Sequence, residues 1–236
     1  MIKEAIILAG GLGTRLRSVV SNVPKCMALV NEKPFLHYLI EFLQKNGIEY
    51  FIFSVGYLHE VIEKYLQENY SSLSYSMSLE TEPLGTGGAI KLACTKTSQE
   101  NILVFNGDTF YKIDIYQLSK FHKEKKSECT LSLKPMENFD RYGVVELNED
   151  QSVKSFKEKK YYPKGLINGG VYALNVSGFL KNDLPEKFSF EKEYLEKNIQ
   201  PYADKKRLYG VIQNTYFIDI GIPEDYEKAQ KELAFQ

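Results

Sequence analysis

Tryptophan is absent from this 236-residue chain, and cysteine and histidine occur only three times each. Cys26, Cys94 and Cys129 form an odd, scattered set that matches no zinc-ligand spacing and no disulfide framework. Buried thiols in a reducing compartment are therefore expected. His37, His59 and His122 all fall on expected helices, outside every motif described below. Charge of one sign is also missing. Thirty Lys and Arg against 31 Asp and Glu leave a net charge of −1, which gives no electrostatic case for nucleic acid or an anionic membrane as partner. No apolar run approaches the ~20 residues of a membrane span. No charged segment followed by a long apolar core marks a secretory signal, so a cytoplasmic protein is expected. Two familiar nucleotide loops are lacking as well. No Gly-x-x-x-x-Gly-Lys-Ser/Thr occurs, and Gly11-Leu12-Gly13-Thr14-Arg15-Leu16 has a leucine where the dinucleotide fingerprint needs its third glycine.

What is present is a different phosphate loop. Leu8-Ala9-Gly10-Gly11-Leu12-Gly13-Thr14-Arg15-Leu16 follows the apolar run Ala5–Leu8, which reads as a buried strand. Three glycines in four positions let the backbone turn tightly and present its N–H groups to an anion. Arg15 and, ten residues later, Lys25 after Pro24 add two positive charges. An ordinary strand-to-helix turn with surface cations is the bland alternative. The cations favour phosphate binding at the C-terminal edge of an open α/β sheet.

The first half alternates strand and helix. Strands are expected at Glu4–Leu8, Tyr50–Val55, Leu73–Leu79 and Ile102–Asn106. Helices are expected at Pro34–Asn46, Leu58–Glu68, Thr86–Ala93 and Ile113–Lys125. After Ser127 strands come faster: Cys129–Lys134, Gly143–Leu147, Val153–Phe156, Ile167–Leu174, Arg207–Gln213 and Tyr216–Ile220. A helix is expected over Phe188–Ile199 and an amphipathic one over Glu224–Leu233. The fold class is α/β, a mixed, mostly parallel Rossmann-like sheet with helices on both faces. No linker or repeat divides residues 1–236. One domain is expected, with a nucleotide half to about residue 130 and an acceptor half beyond it.

Two aspartates stand at strand ends beside glycines, Asp108 in Asn106-Gly107-Asp108 and Asp219 in Phe217-Ile218-Asp219-Ile220-Gly221. Each alone reads equally well as a turn or cap. At one sheet edge, near a phosphate loop, the pair suits Mg²⁺, which takes one or two carboxylates plus phosphate oxygens. Leu84-Gly85-Thr86-Gly87-Gly88 is a second glycine-rich turn, opening a helix, whose backbone could approach a base or ribose. Phe156-Lys157-Glu158-Lys159 offers a carboxylate and an ammonium, although a solvated charge run continuing into Lys160 is its simpler reading. Asn168-Gly169-Gly170 lies inside an apolar strand and marks either close approach of a ligand or a bulge.

In this order, and with Tyr142-Gly143-Val144-Val145-Glu146 between, these segments resemble the sugar-1-phosphate nucleotidylyltransferase family over nearly the whole chain. The branch most resembled is the D-glycero-α-D-manno-heptose 1-phosphate guanylyltransferases, through Ser54–Leu58, Ile167–Tyr172 and Tyr216–Tyr226. The departures are Cys26 and Lys160, where relatives often carry proline. The resemblance implies an NTP and a sugar 1-phosphate as partners, giving an NDP-sugar and pyrophosphate for surface polysaccharide. It implies neither nucleic acid nor membrane, and is compatible with a homo-oligomer. It places the nucleotide on Leu8, Ala9, Gly10, Gly11, Gly13, Thr14, Arg15, Glu80, Gly85, Thr86 and Gly107, with Arg15 on the leaving phosphates and Lys25 on the α-phosphate. Asp108 and Asp219 would hold Mg²⁺. Gly143, Glu158, Lys159, Asn168, Gly169 and Gly170 would take the sugar phosphate. Glu80, five residues before Gly85, is where relatives read the base edge. Its acceptor-only carboxylate suits the adjacent N–H groups of guanine, so GTP is expected. Behind this reading stand a mannose-1-phosphate guanylyltransferase, then a uridylyl- or thymidylyltransferase, then a non-catalytic sugar-nucleotide-binding regulator.

Overall fold

The computed structural model describes residues 1–11, 23–199 and 208–233. Its centre is three parallel strands in which apolar residues point to both sides. They are β1 (Glu4–Leu8), β4 (Tyr50–Val55) and β6 (Asn101–Asn106), with β1 paired to both β4 and β6. Ala5, Ile7, Phe51, Phe53, Leu103 and Phe105 face one layer, while Ile6, Ile52, Ile102 and Val104 face the other. Unbroken apolar runs of this kind are what a sheet covered on both faces requires. The first layer contains α1 (Phe35–Lys45), α2 (His59–Asn69) and α4 (Ile115–Lys125). The second contains α3 (Gly85–Ala93) and the short α5 (Val176–Leu180). β5 (Tyr75–Leu79) extends the sheet in parallel beside β4.

On the other side β11 (Tyr162–Asn175) runs antiparallel to β6. β11 also pairs with β8 (Cys129–Phe139) and touches β9 (Val144–Leu147), which pairs with β10 (Val153–Lys157). β12 (Leu208–Ile212) closes the edge in parallel with β8. The mixed, mostly parallel sheet expected from the sequence is thus present, and both halves of the chain share it. Among the described residues no helix is long and apolar enough to cross a membrane.

Several elements depart from the sequence reading. β8 and β11 run on as a two-stranded ribbon as far as the pair Phe139 and Tyr162. Beyond the core this ribbon carries polar pairs such as Lys164 with Glu137, so hydrophobic periodicity ends before the strands do. The segment expected as a helix over Phe188–Ile199 is a π-helical turn, Phe190–Glu196, with Ser189 accepting from the Lys192 N–H at its start. Its wider winding stacks the rings of Phe190 and Tyr194 with centroids 4.9 Å apart. The short pieces β2 (Leu29–Val30), β3 (Lys33–Pro34), β7 (Thr109–Tyr111) and α5 had no periodic signal to show them. β2 and β3 turn through Asn31 and Glu32, both with positive φ, a two-residue hairpin made without glycine.

Histidine 122 ties the acceptor side to the core. Its imidazole, buried on α4, faces the Thr130 hydroxyl at 2.9 Å and the Asn101 side-chain oxygen at 3.0 Å. Burial pushes its pKa down to about 4, with Lys123 adding to the effect. The folded protein therefore favours the neutral ring, whereas the unfolded chain binds its proton near pH 6.5. Stability from this group is complete above that pH and is lost as pH falls toward 4. The loss should be on the order of 3 kcal/mol. Urea unfolding followed between pH 7.5 and 4 should show that slope, and His122→Gln should flatten this part of it. An unchanged slope in the variant would assign the acid sensitivity elsewhere.

Candidate active site

The C-terminal ends of β1, β4, β5 and β6 open into one cleft of about 770 Å³. Its floor is backbone. The Ala9 N–H donates to the Ser54 carbonyl at 2.7 Å, and the Gly107 N–H donates to the Leu8 carbonyl at 3.0 Å. This stitches the turns after β1, β4 and β6 together. A Cβ at Gly107 would come within 2.6 Å of the Leu8 carbonyl oxygen, and one at Gly10 within 2.7 Å of Glu80 Oε1. A side chain is excluded at Gly107 by backbone, whereas at Gly10 it would displace the Glu80 carboxylate. Gly11, by contrast, has no described residue within 4 Å of where its side chain would be.

The charged centre is built by the turn after β6 and by β13 (Phe217–Asp219). β7 pairs antiparallel with β13 in the register that sets Asp219 against Thr109, and the Ile220 N–H donates to the Asp108 carbonyl at 3.0 Å. Residues 111 positions apart are thereby brought side by side. Lys25 enters from the other side, on a one-turn 3₁₀ segment, Lys25–Met27, anchored by the buried Cys26 and Met27. Its Nζ lies 2.5 Å from Asp108 Oδ2 and 3.6 Å from Asp219 Oδ1, with the lysine side chain only 11% exposed. Burial and the neighbouring Asp108 carboxylate raise the pKa of Asp219, against the pull of Lys25 and of the Gly221 N–H, which donates to Asp219 Oδ1 at 2.7 Å. Burial, then Asp108, pushes the Cys26 thiol up to about 12, so this cysteine is a packed neighbour and no nucleophile.

Glu80 follows β5 and closes the far end of the cleft. Its Oε2 accepts the Leu84 N–H at 2.9 Å, which aims the carboxylate, and burial raises its pKa. Gly85 and Thr86 line the cleft beside it. The glycines here answer mainly to the protein. Gly85 has φ +72° and a Cβ would meet the Phe188 carbonyl oxygen, while Gly87 and Gly88 pack on the Phe188 ring and the Glu186 carbonyl. The Thr86 hydroxyl donates to Glu191 and accepts the Phe190 N–H.

Leu8, Ala9, Gly10, Gly11, Lys25, Glu80, Gly85, Thr86, Gly107 and Asp108 therefore share one cleft, with Asp219 joined to it through Lys25. Gly13, Thr14 and Arg15 lie outside the described residues. The residues expected to take the sugar phosphate form a separate group around β9, β10 and β11. Gly143 packs on the Lys157 carbonyl, which leads directly into Glu158 and Lys159. Both of these are exposed, and among the described residues neither has a side-chain partner. The Asn168-Gly169-Gly170 segment is a bulge in β11, where the register with β8 shifts. Asn168 donates to the Tyr172 hydroxyl and accepts the Gly170 N–H. Gly169 packs on the Tyr111 ring and Gly170 on the Asn106 side chain. Ser54, Gly56, Tyr57, Thr81 and Glu82 also line the cleft. Their signal was topological, since parallel neighbours of β1 must place their following turns at the same edge.

A mostly parallel sheet whose strand ends carry a glycine floor, a buried lysine and two converging carboxylates defines a class that manages nucleotide phosphates. The sequence matches the family described as Nucleotidyl transferase over residues 4–236, and the chain belongs to it. It is 53% identical over 230 residues to a D-glycero-α-D-manno-heptose 1-phosphate guanylyltransferase of Aneurinibacillus thermoaerophilus, covering 98% of each chain. It is 47% identical to the enzyme of that name from Campylobacter jejuni, covering 94% of this chain and 96% of that one. The crystal structure of HddC from Yersinia pseudotuberculosis superposes with a TM-score of 0.87 at 36% identity, covering 98% of this chain and 100% of that one. The form complexed with GMP-PN gives 0.86 at 35%. The family expected from the sequence motifs is the one found.

The ion triad makes its own prediction. Lys25→Met leaves two carboxylates facing each other without their cation, which should cost about 1–3 kcal/mol for a partly exposed group, between surface and buried cases. Adding Asp108→Asn should recover most of that loss in urea unfolding at pH 7. A double variant no more stable than Lys25→Met would mean that the carboxylates do not repel.

Proposed function

We propose that the protein transfers GMP from GTP to D-glycero-α-D-manno-heptose 1-phosphate, releasing pyrophosphate. The observation that carries this is the half-buried Glu80 carboxylate, fixed by the Leu84 N–H at the end of a cleft whose other end holds Lys25 and Asp108. Guanine presents two adjacent donors, N1–H and the exocyclic amine, and a carboxylate accepts both. Uracil or thymine would turn carbonyl oxygens toward the same carboxylate and leave acceptors unpaired, at about 1–3 kcal/mol. The heptose assignment is supported by the two relatives of that name, which match nearly end to end.

In the reaction an oxygen of the sugar phosphate attacks the α-phosphorus, and the bond to the β-phosphate oxygen breaks. A phosphate monoester has its second pKa near ~6 and is largely ionised at neutral pH, so no base has to remove a proton. What remains is to align two polyanions and offset the charge between them. Lys25 would hold the α-phosphate. Arg15 would hold the leaving phosphates, and Lys159 with Glu158 the sugar phosphate and its hydroxyls. Asp108 and Asp219 offer two hard oxygen donors converging on one point, the donor set Mg²⁺ uses together with phosphate oxygens. When bound there, the ion supplies charge neutralisation at the reacting phosphates.

Two outcomes are expected. Asp108→Asn and Asp219→Asn should each lower Mg²⁺-dependent turnover at least 100-fold with the urea transition preserved; near-normal turnover in either would remove that residue from the metal site. In wild type, kcat/KM should favour GTP over UTP and dTTP, and Glu80→Gln should cut the GTP value by at least tenfold. A wild type that prefers UTP or dTTP would overturn the guanine assignment. Comparing heptose 1-phosphate with mannose 1-phosphate as acceptor tests the sugar.

A further inference from the structure

Among the described residues Tyr57 is the only aromatic one lining the cleft, and it is 54% exposed. Among the described residues its hydroxyl has no hydrogen-bond partner and its ring stacks on no other ring. Elsewhere in the chain, rings that line internal surfaces are packed against one another, as Phe179 is on Tyr194 and Tyr111 on Phe217. A large apolar ring left at the mouth of a cleft has not been placed there to complete the core.

The backbone around it is tightly specified. Gly56 follows β4 directly, and a Cβ there would reach the Gly10 carbonyl oxygen and Glu80 at ordinary contact distance, which sets the turn beside the cleft floor. Leu58 then adopts φ +56°, ψ 35°, a left-handed conformation that a γ-branched residue takes up at a cost, and α2 starts at the next residue. The chain therefore turns sharply on either side of Tyr57. Strain of this kind is kept where geometry matters. At the inner end of the same space lies Ser54, fully buried, whose hydroxyl has no partner among the described residues.

We propose that Tyr57 stacks on the face of the nucleotide base whose edge Glu80 reads, and that it favours purines because of their larger stacking area. The inference rests on the guanylyltransferase reading above. Glu80 fixes the base in its plane and supplies no contact to its faces. The Gly10–Gly11 backbone can underlie one face, and Tyr57 covers the other. Stacking a base on an aromatic side chain typically changes affinity by about tenfold or more.

Because the chain contains no tryptophan, Tyr57→Trp places a single indole at the proposed contact. Its emission should change saturably on titration with GTP, with a midpoint matching the calorimetric Kd, and the change should be smaller with UTP at equal occupancy. Tyr57→Ala should raise the KM for GTP about tenfold while the KM for the sugar phosphate stays within twofold. Tyr57→Phe, which keeps the ring, should restore GTP binding. An indole signal that stays flat while calorimetry reports full GTP occupancy, or a Tyr57→Ala enzyme with unchanged GTP KM, overturns the stacking role. A Tyr57→Phe enzyme as impaired as Tyr57→Ala overturns it too, since the hydroxyl would then be the contact. Wild-type turnover with GTP is read separately: its absence sinks the guanylyltransferase reading, whereas its presence together with any of these results sinks the inference alone.

Discussion

The site depends on one electrostatic constraint, the placement of the Lys25 ammonium between the carboxylates of Asp108 and Asp219. Two carboxylates facing one ammonium also repel each other, and the pKa of Asp219 is raised by burial first and by the Asp108 carboxylate second. A cation among them makes the arrangement tolerable. It also explains why the surrounding segments are so firmly tied. The β7–β13 pairing sets the register of Asp219, and Gln213 binds the Asp114 N–H through its side chain while its carbonyl takes the Tyr111 hydroxyl. On the other flank, Tyr226 and Gln230 of α6 (Pro223–Glu232) both donate to the Leu29 carbonyl, clamping the hairpin that follows Lys25. Elements from both ends of the chain thus converge on three charged atoms.

The second constraint is steric. Nucleotide phosphates have to approach the sheet edge closely, and the turns after β1 and β6 permit this by lying backbone against backbone. Gly107 on the Leu8 carbonyl leaves no room for a methyl group, and a methyl group at Gly10 would push the Glu80 carboxylate aside. The glycines of the Gly85–Gly88 turn serve a different need. They let α3 sit against the Phe188 segment, so a glycine-rich turn that looks like a ligand loop is here largely a packing joint that also borders the cleft. The same distinction applies to Gly169 and Gly170, whose missing side chains make room for Tyr111 and Asn106. Composition alone cannot separate these uses, since a glycine accommodates a ring from the protein as readily as one from a ligand.

Much of the core was legible because it obeys simple periodicities. β1 and β4 run over the residues expected of them, and α1 ends at Lys45 before Gly47 as a terminal glycine implies, although Pro34 caps the helix from β3 instead of lying in its first turn. The convergence of Asp108 with Asp219 was legible as chemistry, two strand-end carboxylates near a phosphate loop. Its geometry was not, because β7 and β13 are three residues long and their pairing spans more than a hundred positions. Tyr57 and Ser54 belong to a segment that carried the resemblance, but they were not singled out as residues of the site, for another reason. Each is an unremarkable residue in sequence, and only the placement of β4 next to β1 brings the turn after it to the cleft.

The distribution of titratable groups agrees with the chemistry proposed. Of the three histidines, His122 is held neutral in the core, and His37 faces the Tyr70 hydroxyl at 2.6 Å on the helical layer with its pKa lowered by burial. Neither lines the cleft, nor does His59. The thiol nearest the charges, Cys26, is kept protonated by burial. A transfer in which the attacking oxygen arrives ionised makes no demand for a base tuned near neutrality. Its demand is for positive charge held in place before the substrates meet, and for surfaces that fix a base some distance away. A sheet edge with Lys25 and Asp108 at one end and Glu80 at the other meets both demands, because Asp108 lies in the turn after β6, Glu80 follows β5, and Lys25 is held on a 3₁₀ turn anchored by buried Cys26 and Met27.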